Sequence, residues 1–265
     1  MAFFKTKREK TFDKGILLLH GFTGSPENMR PLQDKFLWEG YKVSCPALRG
    51  HGTTPEDMRQ ASWRDWVNDS SRELDNLSLE CRKVSIAGLS MGGLIAIILA
   101  ARREVDAIVT ISTPIRYRFD MLAQLSPLIR FSSKIRKWPG AHRYDKHLKI
   151  GYDRFPEAKL YDLYRINTIA RSLLKKVTCP ILAVQSKKDE LVRPVNLNII
   201  LSGVSSDQKE SLLLERSPHS CITGLEADMI SMKISQFINR YLDAEMDVSK
   251  LDLKEQYKRA VRLDY

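Results

Sequence analysis

A chain of 265 residues with 43% hydrophobic and 28% charged residues can bury a sizeable core, which predicts one soluble globular domain with an insertion. Its 43 Lys and Arg against 32 Asp and Glu leave a formal charge of +11, an asymmetry whose meaning depends on where it falls. No apolar run approaches the roughly 20 residues of a membrane span, and residues 1–10 are polar and basic where a secretion signal would be apolar, so the chain is read as cytoplasmic.

Residues 1–14 read as a polar arm or an edge strand. The run Gly15-Ile16-Leu17-Leu18-Leu19-His20-Gly21 is wholly apolar until its end, the pattern of a parallel strand buried on both faces. A loop at 22–26 leads to a helix over 27–38, with Gly40 just beyond its end. A strand over 41–46 follows, with a glycine-rich loop, Gly50-His51-Gly52, at its tip. Ser62 is placed to cap a helix running to about residue 79.

The stretch Lys83-Val84-Ser85-Ile86-Ala87-Gly88-Leu89-Ser90-Met91-Gly92-Gly93 then passes from strand formers to an apolar helix through a sharp turn. Strands follow at 106–113, 180–186 and 211–215, and an amphipathic helix at 227–242. Strands alternating with helices at this spacing predict an α/β fold, a mostly parallel sheet covered by helices on both faces. Residues 114–176 interrupt the alternation. They hold 15 Lys and Arg against 5 Asp and Glu, a net +10, and are rich in aromatic residues. They read as a small helical lid inserted into a core made of 1–113 and 177–265. Residues 243–265 form an extension with helical propensity and no motif.

Gly88-Leu89-Ser90-Met91-Gly92 is the G-x-S-x-G pattern of a nucleophile elbow, in which a serine on a tight strand-to-helix turn needs neighbours without side chains. An activated serine needs a base, and the base needs an orienting acid. Of the five histidines, His20 and His51 sit in glycine-flanked loops suited to shaping backbone, and His142 and His147 lie in the basic insertion. His219, just past the last strand, is the predicted base. Asp189, in the loop after the penultimate strand, is the predicted acid, with Glu190 its nearest alternative. The order serine, acid, histidine, each past a strand end, suits a parallel sheet whose reactive groups gather at the carboxyl ends of its strands. The expected oxyanion donors are the backbone N–H groups of Met91, directly after the serine, and of Phe22, in the loop after the first buried strand. The Phe22 side chain is expected to line the acyl pocket. Cys45, Cys81, Cys179 and Cys221 show neither metal-binding nor disulfide spacing and are expected to be free thiols, Cys221 not a nucleophile.

The segments Leu19-His20-Gly21-Phe22-Thr23-Gly24-Ser25-Pro26, Gly88-Leu89-Ser90-Met91-Gly92-Gly93, Asp189-Glu190-Leu191-Val192 and Pro218-His219 resemble the α/β-hydrolase superfamily, and within it the small bacterial carboxylesterases and monoacylglycerol lipases. The resemblance covers about residues 15–242. It implies a Ser90–Asp189–His219 triad, oxyanion donors at Phe22 and Met91, and ester hydrolysis without a metal or cofactor. The substrate implied is a small ester or lipid. A thioesterase or acyltransferase using the same residues, and an inactive hydrolase-fold binding module, remain the alternatives. No nucleic-acid motif appears and none is expected as partner. The basic lid reads either as a solvated face or as a face for anionic membranes, and the oligomeric state is left open.

Overall fold

The structure is a computed structural model that describes residues 10–116, 129–137, 152 and 154–243. Of the features singled out in the sequence, residues 1–9, Tyr117, Arg118, Phe119, Trp138, His142, Arg143, Tyr144, Lys146, His147, Lys149 and the extension beyond residue 243 lie outside the described residues.

Strands β1 (Phe12–Leu19), β2 (Lys42–Ser44), β3 (Cys81–Leu89), β4 (Ala107–Ile111), β7 (Ile181–Ser186) and β8 (Lys209–Leu214) form one sheet in the order β2-β1-β3-β4-β7-β8. Every neighbouring pair is parallel. The predicted alternation and its parallel sheet are therefore what the chain forms. Helices cover both faces, because successive strand side chains point to opposite sides. Ile16 and Leu18 of β1 join one apolar layer with Phe36 of α1 (Arg30–Trp38) and Ile234, Phe237 and Ile238 of α7 (Ala227–Leu242). Leu17 and Leu19 join the opposite layer with Trp66 and Leu74 of α3 (Trp63–Glu80) and the apolar α4 (Met91–Ala100). That second layer continues into α5 (Lys159–Leu173) and α6 (Val195–Gly203).

The start of β1 differs from the sequence reading. Phe12, Asp13 and Lys14 belong to β1, whose partners on both sides put it in the middle of the sheet and not in an arm or at an edge. Lys14 can be buried there because its amine donates to Asn239 Oδ1 (3.2 Å) and Asp243 Oδ1 (2.9 Å) and stands over the Tyr41 ring (4.5 Å). Two helices, α2 (Pro55–Gln60) and α6, also stand where the sequence reading assigns none. Helix α3 begins as read: Ser62 Oγ accepts the Asp65 N–H, and the Asp65 carboxylate accepts the Ser62 N–H, a reciprocal cap.

The insertion is not helical throughout. Besides α5 it carries a two-stranded antiparallel ribbon, β5 (Ile135–Lys137) with β6 (Arg154–Pro156), pinned by an Arg136–Glu157 ion pair of 2.5 Å. Phe155, buried like its neighbour Pro156, fastens the ribbon to the core by packing edge-on against Phe22 with ring centroids 5.7 Å apart. Helix α5 is tied to the start of α3 by a buried pair: Lys159 donates to Asp162 and to the Ala61 carbonyl, and Asp162 accepts the Trp63 N–H. Among the described residues no helix is long and apolar enough to cross a membrane.

Candidate active site

The carboxyl ends of β1, β3, β7 and β8 converge on one edge of the sheet, and each predicted site residue follows one of them. Ser90 ends β3 and opens α4 with φ 52° and ψ −110°, a region L-residues avoid at a cost of about 1–3 kcal/mol. The strain is held from both sides. Ser90 N–H donates to the Ile111 carbonyl of β4 (2.7 Å), and the Ser90 carbonyl accepts from Gly93 (3.0 Å) and Leu94 (3.3 Å) of α4. A methyl group at Gly88 would collide with the Gly92 backbone, and one at Gly92 with the Leu19 and His20 carbonyls, so the turn closes only with both glycines.

Asp189 lies in the loop after β7 with its side chain wholly buried, and both carboxylate oxygens face His219 Nδ1, at 3.0 and 2.9 Å. Oδ1 also accepts the Leu191 (2.9 Å) and Val192 (2.8 Å) N–H groups, and Oδ2 accepts Gln185 Nε2 (3.0 Å). Burial alone would push this carboxyl up. The His219 ring and the two backbone donors outweigh it and hold Asp189 below its usual range. An ionised Asp189 accepts only, so Nδ1 carries the imidazole proton and Nε2 is left as the basic nitrogen. Glu190, the alternative acid, faces the backbone instead: its Oε2 accepts the His219 N–H at 3.1 Å.

Ser90, Phe22 and His219 line one cavity of about 210 Å³, together with Gly21, Asn28, Leu89, Pro114, Leu191, Val192 and Ser220. Leu160 and Leu163 of α5 line it as well, so the insertion supplies part of the wall. Met91 is the first residue of α4, where backbone N–H groups have no partner within the helix and carry the positive end of its dipole. Phe22 follows the tip of β1, and a side chain on its neighbour Gly21 would stand 3.5 Å from Ser90 Cβ, which measures how closely this loop runs beside the serine.

Two histidines brace that loop from behind. His20 is fully buried; Nδ1 donates to the Gly21 carbonyl (2.9 Å) and Nε2 accepts the Leu48 N–H (3.2 Å). Burial pushes it down to about 4, the Gly21 bond offsetting only part. His51, its ring centroid 5.0 Å from that of His20, packs against Trp66 and Phe22 with neither ring nitrogen hydrogen-bonded. Burial, then the neighbouring His20, push it well below its ordinary value, and the nearby Arg49 and Leu48 backbone offsets only part. The thiol of Cys221 is buried beneath the site and pushed up to about 12 by that burial, so it is no rival nucleophile.

Sequence reasoning did not find Asn28, Gln185, Ser220, Leu160 or Leu163. Gln185 is one apparent core position in a strand, and the two leucines are two of many in an insertion; only their meeting in space marks them. Among the described residues no cluster of His, Cys, Asp and Glu could hold a metal.

A parallel sheet with an elbow serine and an acid–histidine pair at the same strand ends is the arrangement of the α/β-hydrolase fold, and the relatives of this chain make it a lipase- and esterase-like enzyme. Residues 11–226 match the family described as "Serine aminopeptidase, S33", and the chain belongs to that family. A thermostable monoacylglycerol lipase of Bacillus sp. (strain H-257) is 33% identical over 235 residues, covering 86% of this chain and 91% of that one. A carboxylesterase of Bacillus subtilis (strain 168) is 24% identical over 231 residues, covering 86% and 93%. Among solved structures, a metagenome-derived lipolytic enzyme superposes with a TM-score of 0.81 at 30% identity, over 88% of this chain and 96% of its own.

Proposed function

We propose that the chain is a serine esterase that cleaves short- to medium-chain carboxylic esters, monoacylglycerols among them, through an acyl-enzyme. The observation that carries this reading is the His219 ring clasped by buried Asp189, facing the same apolar cavity as Ser90. His219 Nε2 takes the proton of Ser90 as Oγ attacks the ester carbonyl. The Phe22 and Met91 N–H groups receive the negative charge that forms on the carbonyl oxygen. His219 then hands its proton to the departing alcohol, and the same groups run in reverse with water to release the acid. Asp189 stays ionised throughout and stabilises the imidazolium.

Leu160, Leu163, Pro114, Leu191 and Val192 form an apolar wall suited to an acyl chain, and the polar part of the lining consists of Ser90, His219, Asn28 and Ser220. Among the described residues that lining holds no carboxylate, which the ammonium of a peptide with a free amino terminus would call for, and this favours an ester. Hydrolysis is separated from acyl transfer by the products formed when a competing alcohol or a thioester is supplied.

The basic insertion is proposed as the face that meets anionic lipid. Arg130, Lys134 and Lys137 are exposed there beside Phe131, which is 78% exposed, and Ile135. Such a mixture of cations and apolar side chains suits a headgroup layer.

A fluorophosphonate should label the wild type and not Ser90→Ala, and Ser90→Ala should lose ester turnover by several orders of magnitude. With nitrophenyl esters of graded length, kcat/KM should climb about four-fold per added carbon until the cavity is full, since each buried methylene is worth about 0.8 kcal/mol. Near-normal turnover in Ser90→Ala would end this reading, and a flat response to acyl length would remove the enclosed pocket.

A further inference from the structure

The loop that carries His219 is stitched at several points. Ser186 Oγ donates to the Ser217 carbonyl, and Glu226 Oε2 accepts from both Arg216 N–H (3.2 Å) and Ser217 Oγ (2.5 Å). These bonds fix the segment leading into the histidine. The remaining one acts on the histidine itself: Glu190 Oε2 accepts its main-chain N–H at 3.1 Å.

We propose that Glu190 is a positioning residue for His219, holding the residue's backbone while Asp189 holds its ring. The inference rests on the triad reading above and goes beyond it. The two adjacent carboxylates hold one residue at two points, Asp189 at the ring and Glu190 at the main chain. Asp189 fixes Nδ1 but leaves the imidazole free to tilt about that contact and the Cα free to shift. Holding the main-chain N–H removes that freedom and sets where Nε2 stands relative to Ser90. Asp189 cannot take over the task, because its two oxygens already serve His219 Nδ1, Leu191, Val192 and Gln185. A hydrogen bond to a charged acceptor is the stronger kind, and small displacements of a reacting group cost rate steeply. Glu190 is at the surface and makes no part of the cavity lining, so its effect should fall on turnover and not on substrate binding.

The experiment compares Glu190→Ala with Glu190→Gln, counting active sites by fluorophosphonate titration and measuring kcat and KM on a nitrophenyl ester. The Ser186 and Glu226 bonds should keep the loop folded in both, so the titrated sites should match the wild type. Glu190→Ala should lower kcat per active site about ten-fold with KM within about two-fold. Glu190→Gln, which keeps a carbonyl acceptor for the same N–H, should recover most of that loss. A kcat unchanged in Glu190→Ala overturns the proposal, as does a Glu190→Gln variant as impaired as Glu190→Ala, or a loss that appears in KM or in the number of titratable sites. A wild type that takes no label at Ser90 would overturn the triad reading as well; a labelled wild type with unaffected Glu190→Ala overturns this proposal alone.

Discussion

Acidification below about pH 6.5 should destabilise this protein, because two histidines are buried neutral behind the loop after β1. His20 is fully buried, with a pKa of about 4 against an ordinary 6.5. The unfolded chain therefore takes up a proton near pH 6.5 that the native state refuses until about 4. The stability tied to this group is complete above pH 6.5 and is lost as pH falls through that window. Linkage puts the loss from His20 alone at about 2 kcal/mol by pH 5 and about 3 kcal/mol by pH 4. His51, also held well below its ordinary value, adds to the loss in the same direction. Asp65, Asp189 and Glu226 are held below their usual range, so they stay charged across the window and their own losses come at lower pH. For a domain stable by about 5–15 kcal/mol this is a large fraction. Urea melts at about pH 7, 6 and 5 would read it as a falling midpoint with an unchanged slope in denaturant. In His51→Phe the pH dependence should become shallower, because one of the two buried imidazoles is gone. A midpoint that stays flat between pH 7 and 5 would refute the buried neutral pair.

Two further outcomes are open to simple tests. Gly92→Ala should destabilise by at least about 3 kcal/mol and abolish fluorophosphonate labelling, because its Cβ meets the Leu19 and His20 carbonyls, which cannot retreat without moving β1; a wild-type Tm in this variant would contradict the close approach. Vesicles with anionic lipid should retain the protein at low salt and release it at about 0.5 M, while neutral vesicles should not. The triple change Arg130→Glu, Lys134→Glu, Lys137→Glu should abolish that retention; Arg136 is left in place because it is paired with Glu157. Equal retention on neutral vesicles, or by the triple variant, would remove the membrane face.

What could be read locally was read from local physics. The apolar run 15–19, the glycines around Ser90 and the Ser62 cap each specify an element through neighbours a few residues away, and the structure forms those elements. Lys14 reads as part of a polar arm or an edge strand because its counter-groups, Asn239 and Asp243, are more than 220 residues distant. The ribbon in the insertion was hidden for a similar reason. Ile135-Arg136-Lys137 carries no alternation of its own, and its partner strand lies at 154–156.

The sequence by itself determined a parallel sheet, a serine on a strand-to-helix turn, and an acid and a histidine in the right chain order past later strands. Backbone propensity, glycine sterics and strand alternation are short-range effects and can be seen in a string. The sequence preferred Asp189 to Glu190 for the imidazole, but only the tertiary structure supplies the contacts, Asp189 at the ring and Glu190 at the main-chain N–H. Both carboxylates stand in the same loop, and it is the fold's approach of β7 to β8 that puts one against the ring and the other against the backbone. It also decided that His20 and His51 lie buried together, and that Leu160 and Leu163 wall the cavity. Those outcomes depend on which surfaces meet after the chain has closed on itself, where burial and long-range pairing set the energy.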